Sequence, residues 1–172
     1  VLTQSLGLQA DLLQDAGETE AAIEVMRRAL AETREEFGAV GQSTINSYTR
    51  LGTLLVQQAH AAEAQALLAQ AWTALGEAGR QDSREGHSLL AAMGLAALAN
   101  GDPAKAEALQ REHVDRSRRV YGDSMWLAGG LANLGHTLLR EGRPAQARPV
   151  LEEAQSMARS SAGENNPVEL LA

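Results

Sequence analysis

Residues 131–154 read LANLGHTLLREGRPAQARPVLEEA, and the spacing of the small residues in this stretch decides the fold. Gly135 is followed 12 residues later by Ala147 and 7 residues after that by Ala154. Seven residues make two helical turns, so the two alanines lie on one face of one helix. The Gly-Arg-Pro sequence at 142–144 separates them from Gly135, and proline suits the first position of a helix. The stretch therefore predicts two helices joined by a tight turn.

The same spacing recurs along the whole chain. The first small residue of each set lies 42, 42 and 41 residues after the one before it, at Ala10, Gly52, Gly94 and Gly135. The other two members of each set are Ala22 and Ala29, Ala64 and Ala71, Ala106 and His113, and Ala147 and Ala154. Two helix backbones can approach to about 8 Å only where neither carries a bulky side chain. We therefore predict four helical hairpins whose helices cross at these positions.

The breaks in the pattern give approximate helix boundaries. First helices are expected near 1–15, 43–58, 84–100 and 124–141, and second helices near 18–36, 61–77, 103–120 and 144–160. Glycines after the second helices suit the left-handed residue that ends a helix, at Gly38, Gly79, Gly122 and Gly163. The repeat units are thus about 1–37, 38–79, 80–121 and 122–162, in one array over 1–172. Residues 163–172 are expected to start a further unit, and the chain to be a fragment of a longer protein.

Composition supports helices and excludes several function classes. The 172 residues include 32 Ala, while aromatic residues make up only 3%, a balance that favours helices over strands. A formal net charge of -7 gives no positive field to attract nucleic acid. Cysteine is absent, which removes disulfides and thiolate chemistry. No apolar run is long enough to cross a membrane, and we expect a cytoplasmic protein.

The pattern resembles the tetratricopeptide repeat, in the 42-residue form of kinesin light chains and many bacterial regulators. In the second unit the resemblance rests on Leu51-Gly52-Thr53-Leu54-Leu55, Ala64, Leu68 and Ala71. In the fourth unit it rests on residues 131–154, in which Asn133 and Pro149 are details of the long form. The resemblance implies an all-α, right-handed superhelical solenoid of four antiparallel helix pairs. It also implies a scaffold that binds a protein or peptide in a concave groove lined by the first helices.

The third unit departs most from the family pattern. His113 replaces its last alanine, and Gln110 stands where a bulky apolar residue is expected. We expect the second helix of this unit to sit further out, or the Gln110 carboxamide to hydrogen-bond to a neighbour.

Enzyme motifs are missing from the sequence. There is no HExxH, no GxGxxG after a strand and no phosphate loop, so we expect no catalytic residues and no cofactor. The four histidines, His60, His87, His113 and His136, show no paired ligand spacing, and no metal site is expected. Arg111, Arg116, Arg118 and Arg119 form a basic cluster interrupted by acidic residues, which favours a salt-bridged helix surface over a phosphopeptide site.

Periodicity selects the candidate groove residues on the first helices. They are Asn46, Thr49, Arg50 and Thr53 in the second unit, Leu95 and Leu98 in the third, and Asn133, His136 and Arg140 in the fourth. Asparagine carboxamides can bind a peptide main chain, and arginines can hold carboxylates. The alternative, equally consistent with the sequence, is that Asn46 and Asn133 bond neighbouring helices and the two leucines are core.

Three functions stay open at this point. The first is recognition of a peptide or protein partner in the groove, without direct binding to nucleic acid or membrane. The second is self-association, in which the exposed terminal repeats form a homo-oligomer. The third is a signal-peptide-sensing or accessory domain of a larger kinase or transcription regulator. We expect a bacterial source, because 14 arginines against 1 lysine and abundant alanine suggest a GC-rich coding sequence.

Overall fold

The computed structural model describes the backbone of residues 2–163 and the side chains of residues 5–160. Eight α-helices make up this part of the chain. They are α1 (Leu2–Asp15), α2 (Thr19–Phe37), α3 (Gln42–Gln57), α4 (Ala61–Glu77), α5 (Arg84–Ala99), α6 (Pro103–Tyr121), α7 (Met125–Arg140) and α8 (Pro144–Gly163). Each predicted boundary within 2–163 is met to within three residues. The predicted start of a further unit lies almost entirely beyond the described residues.

Two compact units divide the chain, Val1–Gly101 and Asp102–Ala172. In the first unit, α1 packs on α2, α2 on α3, α3 on α4, and α5 on both α3 and α4. In the second unit, α6 packs on α7 and α7 on α8. The short links between packed neighbours make these pairs antiparallel. The boundary between the units falls at the turn between α5 and α6, inside the third predicted repeat.

The twelve positions of the repeat lie in the protein interior. All twelve, His113 included, are buried. A Cβ atom added to Gly52 would lie 2.6 Å from Leu68 Cδ2, and one added to Gly135 would lie 2.4 Å from Leu151 Cδ2. Each distance is too short for real atoms, so these glycines let a first helix contact the second helix of its own repeat. The prediction that small residues mark the helix crossings is confirmed for these two pairs.

The third repeat accommodates its larger side chains differently. His113 is 3% exposed on α6, and a Cβ atom added to Gly130 of α7 would lie 3.0 Å from His113 Nδ1. The missing side chain of Gly130 therefore makes room for the imidazole. Gln110 is completely buried, and within residues 5–160 neither its Nε2 nor its Oε1 atom has a hydrogen-bond partner. The hydrogen bond that the sequence suggested for Gln110 does not form there.

The turns within the repeats share a left-handed residue. It is glycine at Gly17, Gly101 and Gly142, with φ of 78°, 78° and 73°, but alanine at Ala59, with φ of 62°. The Ala59 turn ends α3 with two hydrogen bonds, from Ala59 N to Val56 O (3.2 Å) and from His60 N to Leu55 O (2.8 Å). A side chain costs about 1 kcal/mol or more in this conformation.

We expect Ala59→Gly to raise the free energy of unfolding by about 1 kcal/mol, because glycine removes this strain at some cost in chain entropy. Urea denaturation followed by circular dichroism measures the change. Gly142→Ala is the matched control. A Cβ atom there would meet nothing within 4 Å, so only the backbone conformation opposes it, and the variant should lose about 1 kcal/mol. A less stable Ala59→Gly variant would contradict this account of the turns.

Candidate functional site

The first unit contains a groove between α1 and α3. One cavity of about 220 Å³ and another of about 250 Å³ open here, and Arg50 and Met26 line both. Arg50 comes from α3 and Met26 from α2, so α2 supplies the shared floor of the two cavities. Met26 is 3% exposed, and its flexible thioether suits a floor that adapts to different ligands.

Arg50 joins the two walls of this groove. Its Nη2 donates to the backbone oxygen of Gly7 (3.2 Å) and to the carboxylate of Asp11 on α1. A Cβ atom at Gly7 would lie 2.9 Å from Arg50 Nη1, so the absence of a side chain at Gly7 lets the guanidinium approach α1. Arg50 and Asp11 side chains are 47% and 56% exposed, and such exposed pairs contribute little to stability.

The other predicted groove residues of α3 lie beside Arg50. Asn46 is exposed and lines the larger cavity, whereas Thr49 and Thr53 are half-buried and line the smaller one. Thr49 Oγ1 donates to Ile45 O (3.0 Å) and Thr53 Oγ1 donates to Thr49 O (2.9 Å). These hydroxyls already use their protons within the helix, so they can only accept hydrogen bonds from a ligand.

Sequence reasoning missed the contribution of α1. Asp11 and Gln14 line the smaller cavity and Gly7 lines the larger one. Gln14 Nε2 donates to Gln57 Oε1 (2.8 Å), which makes a second bridge between α1 and α3. The face used to select groove residues on the other first helices, counted from Ala10, includes Gly7, Asp11 and Gln14. The same rule applied to α1 would therefore have found them.

Leu95 and Leu98 lie on α5, which packs against α3 and α4. Leu95 is 39% exposed and Leu98 is half-buried. The interpretation of Leu95 as a core residue is therefore wrong, and its side chain is available for contact.

In the second unit, the predicted residues lie on α7. Asn133 is half-buried, and His136 and Arg140 are exposed. A cavity of about 460 Å³ in this unit is lined by Leu139 and by residues of α8, and not by these three. Within residues 5–160, the carboxamides of Asn46 and Asn133 have no hydrogen bond to a neighbouring helix, unlike the alternative interpretation of these residues.

Ion pairs occupy the basic cluster and the turn between α7 and α8. Arg111 pairs with Glu107 (2.7 Å), Arg116 with Glu112 (2.9 Å) and Arg118 with Glu153 (2.6 Å), as expected for a salt-bridged surface. Arg143 Nη1 donates to Glu107 (2.8 Å) and Glu141 (2.6 Å). These two carboxylates raise the pKa of Arg143, Glu107 more than Glu141. The cluster is thus already neutralised by neighbouring acids.

Metal and membrane sites were sought in the same part of the chain. Within the described residues, no group of three or more His, Asp or Glu side chains is placed to hold a metal ion. None of the described helices is both long and apolar enough to cross a membrane.

Comparison with known proteins identifies the family. Two family models described as Tetratricopeptide repeat match residues 3–35 and residues 87–167, together about two thirds of the chain. The chain belongs to the tetratricopeptide repeat family, whose members are scaffolds for protein interactions. No curated protein matches the chain as a whole.

Solved structures show the same fold. A Podosopora anserina protein described as a kinesin light chain with nearly identical TPR-like repeats has a TM-score of 0.72 and 18% identity, over 92% of this chain and 76% of that one. BtubC (BKLC) from P. vanneervenii has a TM-score of 0.77 and 18% identity, over 96% of this chain and 66% of its own. The predicted all-α, tetratricopeptide-like fold is confirmed.

Proposed function

We propose that this chain is a non-enzymatic module that binds an extended or helical segment of a partner protein in the groove between α1 and α3. The observation that carries the proposal is the pair of cavities that share Met26 as their floor and Arg50 as their divider. An apolar floor with a few polar groups at its rim is the usual composition of a binding groove.

The polar rim suggests how such a segment is held. The Asn46 carboxamide can donate to and accept from a peptide main chain at once. In the described contacts of Arg50, both hydrogen bonds come from Nη2, which leaves Nε and Nη1 to donate to a ligand carboxylate or carbonyl. An acidic residue of the partner would then bind Arg50 beside Asp11 or displace it. Leu95, exposed on α5, supplies an apolar contact in the same unit.

The larger setting follows from composition and family. We propose that the chain is an interaction region of a longer bacterial regulatory protein in the cytoplasm. The arginine-rich composition and the tetratricopeptide family support this setting. Asn133, His136 and Arg140 would contribute to binding from the second unit.

The proposal is tested by selecting peptides from a random library against the whole chain and measuring their affinities by fluorescence anisotropy. Arg50→Ala and Asn46→Ala are each expected to weaken binding about tenfold, the usual effect of removing an interface hydrogen bond to a charged or amide group. Far-UV circular dichroism and melting temperature should hardly change, because both side chains are exposed. Asn133→Ala tests the second unit in the same way.

Arg28→Ala is the matched control, since Arg28 is exposed on α2 and lines neither cavity. It should bind the selected peptides as the unchanged chain does. Equal affinity of the Arg50, Asn46 and Arg28 variants would overturn the groove proposal. Unfolding of the Arg50 variant would indicate that this side chain is structural.

A further inference from the structure

Helix α1 exposes two leucines on a face that other first helices bury. Leu8 is 62% exposed and Leu12 is 61% exposed. Counted from the small residue of each repeat, their counterparts on α5 are Ala92 and Ala96, which are 6% and 0% exposed. The position of Ser5 corresponds in the same way to Leu89, which is completely buried. We call the surface formed by Ser5, Leu8 and Leu12 the head face.

The packing of α5 shows what such a face contacts. Leu89, Ala92 and Ala96 belong to the core of the first unit, together with Leu68 and Leu75 of α4. The side chain of Asn100, just after α5, donates to Gln65 Oε1 of α4 (3.2 Å). The corresponding face of a first helix thus packs on the preceding helix pair, with the end of that helix near position 65.

Helices α7 and α8 present the equivalent of the surface that α5 covers. Leu139 corresponds to Val56 of α3, and Leu151 corresponds to Leu68 of α4. Leu139 is 47% exposed and Leu151 is half-buried, whereas Leu68 is completely buried. We call this surface the tail face; its cavity of about 460 Å³ is lined by Leu139, Pro144, Arg148, Leu151, Glu152 and Gln155.

Side-chain sizes on the two faces are complementary. The head face has leucines where α5 has Ala92 and Ala96. The tail face has the smaller Gln155 and Ala158 where α4 has Trp72 and Leu75. Larger side chains on one face would therefore meet smaller ones on the other.

Charge is complementary at the same register. Arg148 corresponds to Gln65, the residue that meets the end of α5. The residue of α1 at this end is Asp15, the last of its helix. Docking of the head face on the tail face, in the way that α5 docks on α3 and α4, would bring exposed Asp15 close to exposed Arg148. An arginine there would also face the negative end of the α1 dipole.

We propose that the head face of one copy of this chain docks on the tail face of a second copy. The contact is heterologous, since the two surfaces differ, and it can continue from copy to copy. The occupant of the tail face is a second copy because its register, side-chain sizes and charge all match α1.

Sedimentation velocity of the whole chain over about 5 to 500 µM, a range suited to a small contact, tests this proposal. The expected result is a sedimentation coefficient that rises with concentration. Arg148→Asp and Asp15→Arg should each weaken association about tenfold by placing like charges together. The double variant should associate nearly as well as the unchanged chain. Arg28→Asp, which changes the net charge equally on an exposed part of α2, is the control and should associate normally.

Mixing two variants tests the direction of the contact. Leu12→Lys blocks only the head face and Arg148→Asp only the tail face, so each alone should be monomeric and their mixture should give a one-to-one dimer. A monomer at every concentration would overturn the proposal, and would indicate that residues 164–172 or another partner cover the tail face. Association that the single and double charge variants leave unchanged would overturn it equally.

Discussion

Gly135→Ala is expected to lower the free energy of unfolding by about 2 kcal/mol. The added Cβ atom would lie 2.4 Å from Leu151 Cδ2 and 2.5 Å from Leu151 Cγ, and Cγ cannot move far without its helix. Either Leu151 leaves its preferred rotamer or α7 and α8 separate, and overpacking of this kind costs about 1 to 3 kcal/mol. The loss should exceed the gain in helix propensity that alanine brings.

Gly129→Ala is the matched control, since it makes the same change six residues earlier in the same helix. A Cβ atom at Gly129 would meet nothing within 4 Å, so only helix propensity changes, and stability should rise by about 1 kcal/mol. Urea denaturation of both variants measures the difference of about 3 kcal/mol. Equal effects of the two substitutions would contradict a packing role for Gly135.

Gln110→Leu is expected to stabilise the protein by about 2 kcal/mol. Gln110 is completely buried, and neither polar atom of its carboxamide finds a partner within residues 5–160. Leaving such a group without a hydrogen bond costs about 1 to 3 kcal/mol. Leucine has nearly the same size and already occupies the equivalent positions Leu68 and Leu151, so the change should be accommodated without strain.

The control for this substitution is Gln70→Leu on α4, where the side chain is exposed. Its effect should stay within about 0.5 kcal/mol. Thermal denaturation followed by circular dichroism compares the two variants. If Gln110→Leu lowers the melting temperature, the carboxamide has a stabilising partner and the account of the third repeat is incorrect.

The sequence was sufficient to predict most of the fold, because each boundary has a local cause. Pro103 and Pro144 begin helices, and Gly38, Gly79 and Gly122 adopt the positive φ that ends them. The 41- or 42-residue period then identifies the buried crossings. It does not reveal how His113 fits, since the space comes from Gly130, a residue of the next helix in the chain.

The candidate site was less predictable. Periodicity places Arg50 and Asn46 on the correct face of α3, but it does not give side-chain conformations. Whether Arg50 points to a ligand or to Asp11 depends on the approach of α1, which Gly7 permits. Likewise, the bonds of the Thr49 and Thr53 hydroxyls within their own helix follow from rotamers that the sequence pattern does not specify.

The account depends most on the claim that small residues allow paired helices to approach, and a double-mutant cycle between Gly52 and Leu68 tests it most directly. A Cβ atom at Gly52 would lie 2.6 Å from Leu68 Cδ2 and 2.7 Å from Leu68 Cγ, and Leu68→Ala removes both atoms. We predict that Gly52→Ala costs about 2 kcal/mol in the unchanged chain and close to nothing in the Leu68→Ala background. Additive effects of the two substitutions would contradict the claim.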